Sequence, residues 1–170
     1  MRIAFLTFAL LIAGLSGVQA QKFGYVNSQA IIAEMNEFKA AESDLVAFRD
    51  QKQKLLQTKM EAAQAEYQTL LQKQQAGELT PKQLQEGEAS LQKKQQELAE
   101  LEATIQQDVA KRREEKFQPV FDKVNDAIAG VAKEDGYLYV FDASAGGAIV
   151  YADESMDITE KVKTKLSAMN

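Results

Sequence analysis

From Ser28 onward the apolar residues Ile31, Met35, Phe38, Ala41, Leu45 and Phe48 recur three and four positions apart, the spacing that gathers side chains on one stripe of an α-helix. The stripe resumes as Leu56, Met60, Ala63, Tyr67 and Leu70. The step from Phe48 to Leu56 is longer than a heptad, so the pattern predicts a phase shift or a local unwinding there. Asn27 or Ser28 can cap the start, and Ala76-Gly77 places a glycine where a helix closes in the left-handed conformation. A second helix is predicted almost at once. Thr80-Pro81-Lys82-Gln83 offers a hydroxyl N-cap, a proline at the first helical position and a glutamine at N3, the elements of a capping box. Leu84, Leu91, Leu98 and Ile105 then recur every seventh position, with Leu101 and Val109 between them. Two such stripes joined by about four residues predict an antiparallel hairpin over residues 28–118, with its tip near 77–81. At 1.5 Å per residue, the outgoing helix over 28–76 would make an arm about 70 Å long. Its stripe is thin: Lys52, Lys59, Gly87 and Gln95 fall in or beside it, where a tight coiled coil would carry leucine.

Pro119 is predicted to interrupt the return helix and kink its path near Phe117, because proline cannot donate to the carbonyl four residues back. Helical spacing continues through Val120, Val124, Ile128 and Val131 to Asp135-Gly136, and then the period changes to two. Tyr137–Phe141 reads as a strand, Ala145-Gly146-Gly147 as a turn and Ala148–Tyr151 as the partner strand. Asp157 and Glu160 form an N-cap and N3 pair opening a terminal helix through Val162 and Leu166, and Lys22–Val26 is a third short strand. The fold class is therefore α+β, mostly α: a long helical hairpin on a small β body. Three short strands leave unpaired edges, so the body, residues 21–27 and 119–170, should be closed by other copies of the chain. Tyr25, Val26, Leu138, Val140, Ile149 and Val150 are the residues expected to be buried in that assembly. Strand count alone leaves two, three or four copies open.

The first twenty residues read differently. Arg2 precedes an apolar run from Ile3 to Leu15, and small residues follow up to Val18-Gln19-Ala20. This is the pattern of a cleaved signal peptide, with a run shorter than the ~20 residues a membrane span needs. The mature chain is expected to begin at about Gln21 and to work outside the cytoplasm.

Composition then removes whole chemistries. With no His, Cys or Trp among its 170 residues, the protein has no imidazole base, no thiolate nucleophile and no disulfide. Its 20 basic and 25 acidic side chains give a net charge of −5, and loss of Arg2 with the leader takes it to −6, which argues against nucleic acid as a partner. Asp153, Glu154 and Asp157 could be read as a metal or acid/base cluster, but Asp157 is accounted for as a cap and the spacing lacks that of a calcium loop. Ser144 and Ser155 have no histidine to activate them, so neither catalysis nor a cofactor is expected. In Lys111-Arg112-Arg113, the Glu114-Glu115 that follow favour ion pairing along a helix face over an anion site.

The ends of the chain carry a more specific likeness. Gly24-Tyr25-Val26-Asn27, the Gln- and Lys-rich hairpin, Val131-Ala132-Lys133-Glu134-Asp135-Gly136-Tyr137, Tyr151-Ala152-Asp153 and Asp157-Ile158-Thr159 occur in an order that resembles the Skp (OmpH-like) family of periplasmic chaperones. The resemblance implies a trimer whose strands form a β body, with three arms around a cavity that holds unfolded outer-membrane proteins. The family's attraction to lipid or lipopolysaccharide depends on a basic charge, and a chain at −6 puts such binding in doubt. Two functions remain. One is a holdase that works without ATP, with Met60, Tyr67, Leu71 and Leu79 as client contacts; the other is a structural coiled-coil spacer or adaptor of the cell envelope. The thin stripe favours the first, because a cage gains from arms that bend.

Overall fold

The computed structural model describes residues 21–144, 146 and 149–169. The predicted signal peptide, and Ala145, Gly147 and Ala148 of the predicted turn and strand, lie outside them. The element order is β1 (Phe23–Val26), α1 (Ser28–Glu34), α2 (Asn36–Gln75), α3 (Pro81–Asp135), β2 (Tyr139–Asp142), a 3₁₀ turn (Glu154–Met156) and α4 (Thr159–Ala168). The chain divides into two compact units, one of residues 32–122 and one made of the described residues up to Ile31 together with those from Lys123 onward.

The second of these units is built on two strands. β1 and β2 pair in parallel, with Phe23 opposite Tyr139, Gly24 opposite Val140, Tyr25 opposite Phe141 and Val26 opposite Asp142. The pairing is continued at its ends by Leu138 N–H donating to the Lys22 carbonyl at 2.7 Å and Ala143 N–H to the Val26 carbonyl at 2.8 Å. Parallel strands need a long crossover, and the helical hairpin between them supplies it. This corrects the local expectation: β2 pairs with β1 and not with Ile149–Tyr151. Ile149 to Tyr151 are outside any strand, with Val150 97% and Tyr151 85% exposed, while the other edge of β1 is touched by Asp157 through a bridge to Tyr25.

In the same unit, Val124, Ala127 and Val131 of α3 and Ile158, Val162 and Leu166 at and within α4 are buried, as are Val26 and Ile31. Their spacing of three and four is what places each set on one helical stripe. Lys161 to Asp135 and Lys165 to Glu134 are ion pairs joining α4 to the end of α3. Asp157 Oδ1 accepts from Thr159 N–H at 2.8 Å and so caps α4, as its position predicts. Thr159 Oγ1 in turn accepts from Asn27 N–H at 3.1 Å, which fastens β1 to the same corner.

Residues 32–122 form the hairpin. Its tip follows the sequence closely. Gly77 adopts φ +69°, with Glu78 N–H reaching the Lys73 carbonyl at 3.0 Å and Gly77 N–H the Gln74 carbonyl at 3.1 Å, the paired bonds of a Schellman closure. The capping box forms in both directions: Thr80 N–H donates to Gln83 Oε1 at 2.9 Å and Gln83 N–H to Thr80 Oγ1 at 3.3 Å. Two expectations change and a third is settled. The outgoing helix breaks at Met35, whose extended backbone (φ −68°, ψ 133°) ends α1 while its carbonyl receives Lys39 N–H at 3.2 Å to begin α2. Of the two alternatives between Phe48 and Leu56 the unwinding does not occur: α2 is continuous there, with Lys52 in the long step of the stripe. α3 runs through Pro119 without interruption: a proline removes one donor and leaves the rest of a long hydrogen-bond ladder in place.

Candidate functional site

The hairpin's two helices meet through a seam that is apolar only in part. Phe38 of α2 packs edge-on against Phe117 of α3 with ring centroids 5.3 Å apart, and Phe117 stacks on Phe121 at 6.2 Å. Ala41, Leu45 and Val120 are buried, and among the described residues from 46 to 119 no other side chain reaches that degree of burial. Leu56, Leu70, Leu84, Leu91, Leu98, Leu101, Ile105 and Val109, the predicted stripes, are all half-buried. Charges fill the gaps. The Arg112 guanidinium donates twice to Asp44, at 2.6 and 2.8 Å, and Lys52 Nζ reaches Asp108 at 2.6 Å. Glu66 receives both Lys94 and the Ser90 hydroxyl, the latter at 3.1 Å. Arg112 thus leaves the run Lys111-Arg112-Arg113 to bridge the helices, whereas Lys111 pairs along its own helix with Glu115.

A groove of about 750 Å³ opens beside this seam, lined by Leu56, Ile105, Val109, Phe117 and Phe121, with Arg49 and Arg113 among the polar groups. The expected client contacts lie elsewhere on the hairpin. Met60 and Tyr67 are 54% and 47% exposed, Leu71 and Leu79 are half-buried, and none of the four lines the groove. Sequence reading assigned Leu56, Ile105 and Val109 to the seam and did not see that they stay open on one side. The signal was present in the polar residues that dilute the stripe.

The residues expected to carry assembly take three different positions. Val26 is 1% exposed and is core of its own chain, because the register of β1 turns it inward with Ile158. Tyr25, Val140 and Ile149 are half-buried, and Leu138 and Val150 are exposed within the chain. Sequence reading missed the aromatic row Phe23, Tyr139 and Phe141, whose rings stack at 6.0 and 6.4 Å and which remain 37%, 59% and 49% exposed. The period-two alternation contained it, at the odd positions of β2.

Electrostatics in both units are those of structural ion pairs. Hydrogen bonds from Arg112 hold the Asp44 carboxyl below its ordinary range and raise the guanidinium in return. Lys161 does the same for Asp135. Burial, reinforced by Asp157, Glu154 and Asp153, raises the Tyr25 phenol. Burial would raise Asp142 too, but donors from Ser28 and Ser144 outweigh it and the carboxyl lies low. Asp153 Oδ1 accepts from the Ser155 N–H at 2.9 Å and hydroxyl at 2.6 Å, so the acidic residues before α4 are engaged in turns and caps. Among the described residues no group of three acidic side chains could hold a metal ion, and no helix is long and apolar enough to cross a membrane.

A long, lightly packed helical hairpin with apolar residues left open and, as a separate compact unit, a two-stranded sheet with an aromatic surface define a mostly helical α+β protein. The description "Outer membrane protein (OmpH-like)" fits residues 22–166, and the chain belongs to that family. It is 28% identical over 167 residues to the chaperone protein Skp of Yersinia enterocolitica, with 92% of each chain covered. Its fold matches the crystal structure of a candidate OmpH-like outer membrane chaperone from Caulobacter crescentus at a TM-score of 0.75 and 21% identity, over 91% of this chain and 88% of that one. The family is one of chaperones and not of enzymes.

Proposed function

We propose that the protein is an ATP-independent periplasmic holdase, released from its signal peptide near Gln21, that keeps unfolded outer-membrane proteins from aggregating. The active form is a homo-oligomer, a trimer, assembled through residues 21–27 and 119–170, with the hairpins enclosing the cavity in which clients are held. One observation carries this reading: from residue 46 to residue 119 the hairpin buries none of its stripe residues fully, so Leu56, Ile105, Val109, Phe117 and Phe121 line an open groove where a structural rod would close it. Shallow contacts of this kind suit many client sequences and let each go without fuel. Met60 and Tyr67 extend the apolar surface toward the tip, Met60 through an adaptable thioether, with Leu71 and Leu79 beside the turn. The net acidity argues against lipid head groups, lipopolysaccharide or nucleic acid as further ligands.

The test is dilution of a urea-denatured β-barrel membrane protein into buffer with the mature chaperone at near-stoichiometric ratio, followed by light scattering. Scattering should stay near baseline with the wild type and rise at least twofold when Met60→Ser and Tyr67→Ser are combined. Aggregation as fast as in buffer alone would leave a structural spacer of the cell envelope as the function.

A further inference from the structure

The partly buried charges in the hairpin seam form an ordered series. Along α2 they are Asp44, Lys52 and Glu66, and facing them along α3 are Lys116, Asp108 and Lys94. Lys116 lies 3.4 Å from Asp44, which Arg112 also holds; Lys52 lies 2.6 Å from Asp108; Lys94 meets Glu66. The signs alternate negative, positive, negative on one helix and positive, negative, positive on the other. The spacings match as well, with steps of eight and then fourteen residues up α2 and the same steps down α3. All three pairs therefore belong to one antiparallel register. Phe48 ties the first two together, since Lys52 Nζ lies 5.1 Å and the Arg112 guanidinium 5.4 Å from its ring centroid.

These pairs differ from ordinary surface pairs. Their side chains keep 24–39% of their surface, whereas Lys82–Glu86, Lys93–Glu97 and Lys111–Glu115, each within α3, keep 52–84%. Although a slip of eight already takes their stripe out of phase, the half-buried leucines recur every seventh position and by themselves cannot exclude a slip of fourteen, which keeps it in phase. The charges can. Sliding the helices by eight residues sets Lys52 against Lys116 in one direction and Asp44 against Asp108 in the other. Sliding by fourteen sets Glu66 against Asp108, or Lys52 against Lys94. Each such slip brings like charges together between the helices, where water screens them only partly.

We infer that Asp44–Lys116, Lys52–Asp108 and Glu66–Lys94 are positioning residues that set the register of the hairpin by excluding slipped pairings, which lets the apolar seam stay thin and open. This rests on the hairpin's geometry and is independent of what the hairpin binds. It explains why Lys52 stands where a leucine would pack better. A charged pair at this depth adds little net stability over apolar residues, but it discriminates between alignments in a way they do not.

The absence of cysteine allows a direct test on the full mature chain. Ala63→Cys with Glu97→Cys reports the native register, because these positions stand three residues from Glu66 and Lys94 in the matching direction and line the same depression. Arg49→Cys with Glu97→Cys, or Ala63→Cys with Lys111→Cys, reports a slip of fourteen in either direction. The yield of a short thiol cross-linker is measured for each pair. In the wild-type seam only the native pair should react efficiently. Lys52→Asp, which would attract Lys94, should lower the native yield about fivefold and raise the Arg49→Cys product; Asp108→Lys, which would attract Glu66, should raise the Lys111→Cys product instead. Lys52→Met with Asp108→Leu removes the charges without repulsion. It should keep the helix content and melting temperature by circular dichroism while the slipped products rise. Unchanged native yields in the charge reversals, or a neutral seam that melts lower with no slipped product, would overturn the inference, since the pairs would then be stabilising contacts without a role in alignment.

Discussion

Gly87 gives the sharpest test of how the hairpin is packed. It stands inside α3, where glycine costs a helix about 1 kcal/mol relative to alanine. A Cβ at this position would lie 2.5 Å from Leu70 Cδ1 and 3.1 Å from Leu70 Cδ2, well inside van der Waals contact. Gly87→Ala therefore has two opposed effects: a gain of about 1 kcal/mol from the backbone and a loss of about 1 to 3 kcal/mol from overpacking. Because Leu70 is half-buried and offers the flexible end of its side chain, the loss falls at the low end of that range, about 1 kcal/mol, and the two effects nearly cancel. Truncating Leu70 to alanine removes the obstructing methyl groups. In that background Gly87→Ala should stabilise by about 1 kcal/mol, so the coupling between the two sites is about 1 kcal/mol. Thermal denaturation followed by circular dichroism would show little change in the first case and a rise of ~3 °C in the second. Amide exchange over residues 84–91 would locate the change at the tip of the hairpin. If Gly87→Ala raised the melting temperature equally in both backgrounds, the glycine would not be there to admit Leu70, and the close approach of the helices would be wrong.

Val140→Asp should release monomers in analytical ultracentrifugation, because a charge on half-buried β2 next to the exposed aromatic row cannot be desolvated by a neighbouring chain; a variant that stays fully oligomeric would move assembly off the β unit. The carboxyls of Asp44 and Asp135 lie below their ordinary range in the folded chain, held by Arg112 and Lys161. A lowered folded value contributes stability above the unfolded value near 4, and this is lost as pH falls through the lower folded value. The melting temperature should be level between about pH 8 and 5 and drop below about pH 4, with Asp44→Asn showing a shallower drop; an equal drop in that variant would exclude Asp44 as a source.

What could be read from the chain and what could not divides by the range of the interaction. The tip was legible in detail. Thr80-Pro81-Lys82-Gln83 and Ala76-Gly77 each satisfy their hydrogen bonds within a few residues, so the local pattern determines the geometry and the capping box and Schellman closure appear where they are expected. Helix α4 and its cap at Asp157 follow for the same reason. β2 was recognisable as a strand from its alternation, but its partner was not. A strand's edge accepts any neighbour that reaches it, and the choice of β1, parallel and more than a hundred residues earlier in the chain, over the nearby 149–151 is a matter of long-range packing with Ile158 and Thr159.

The site divides in the same way. Periodicity by itself determined that this protein has two amphipathic helices folded back on each other, with a stripe too thin for a tight coiled coil. It also marked Lys52 and Gly87, with Lys59 and Gln95, as positions in or beside the stripe that dilute it. Only the tertiary structure decided what two of those positions meet: Lys52 is matched by Asp108 and Gly87 by the side chain of Leu70. It likewise turned Val26 into the core of its own chain and left Phe23, Tyr139 and Phe141 on the surface. The reason is physical. A hydrophobic pattern fixes which face of an element avoids water, because that is a property of neighbours along the chain; which residue fills a given gap depends on the element brought opposite, and no local sequence contains that partner.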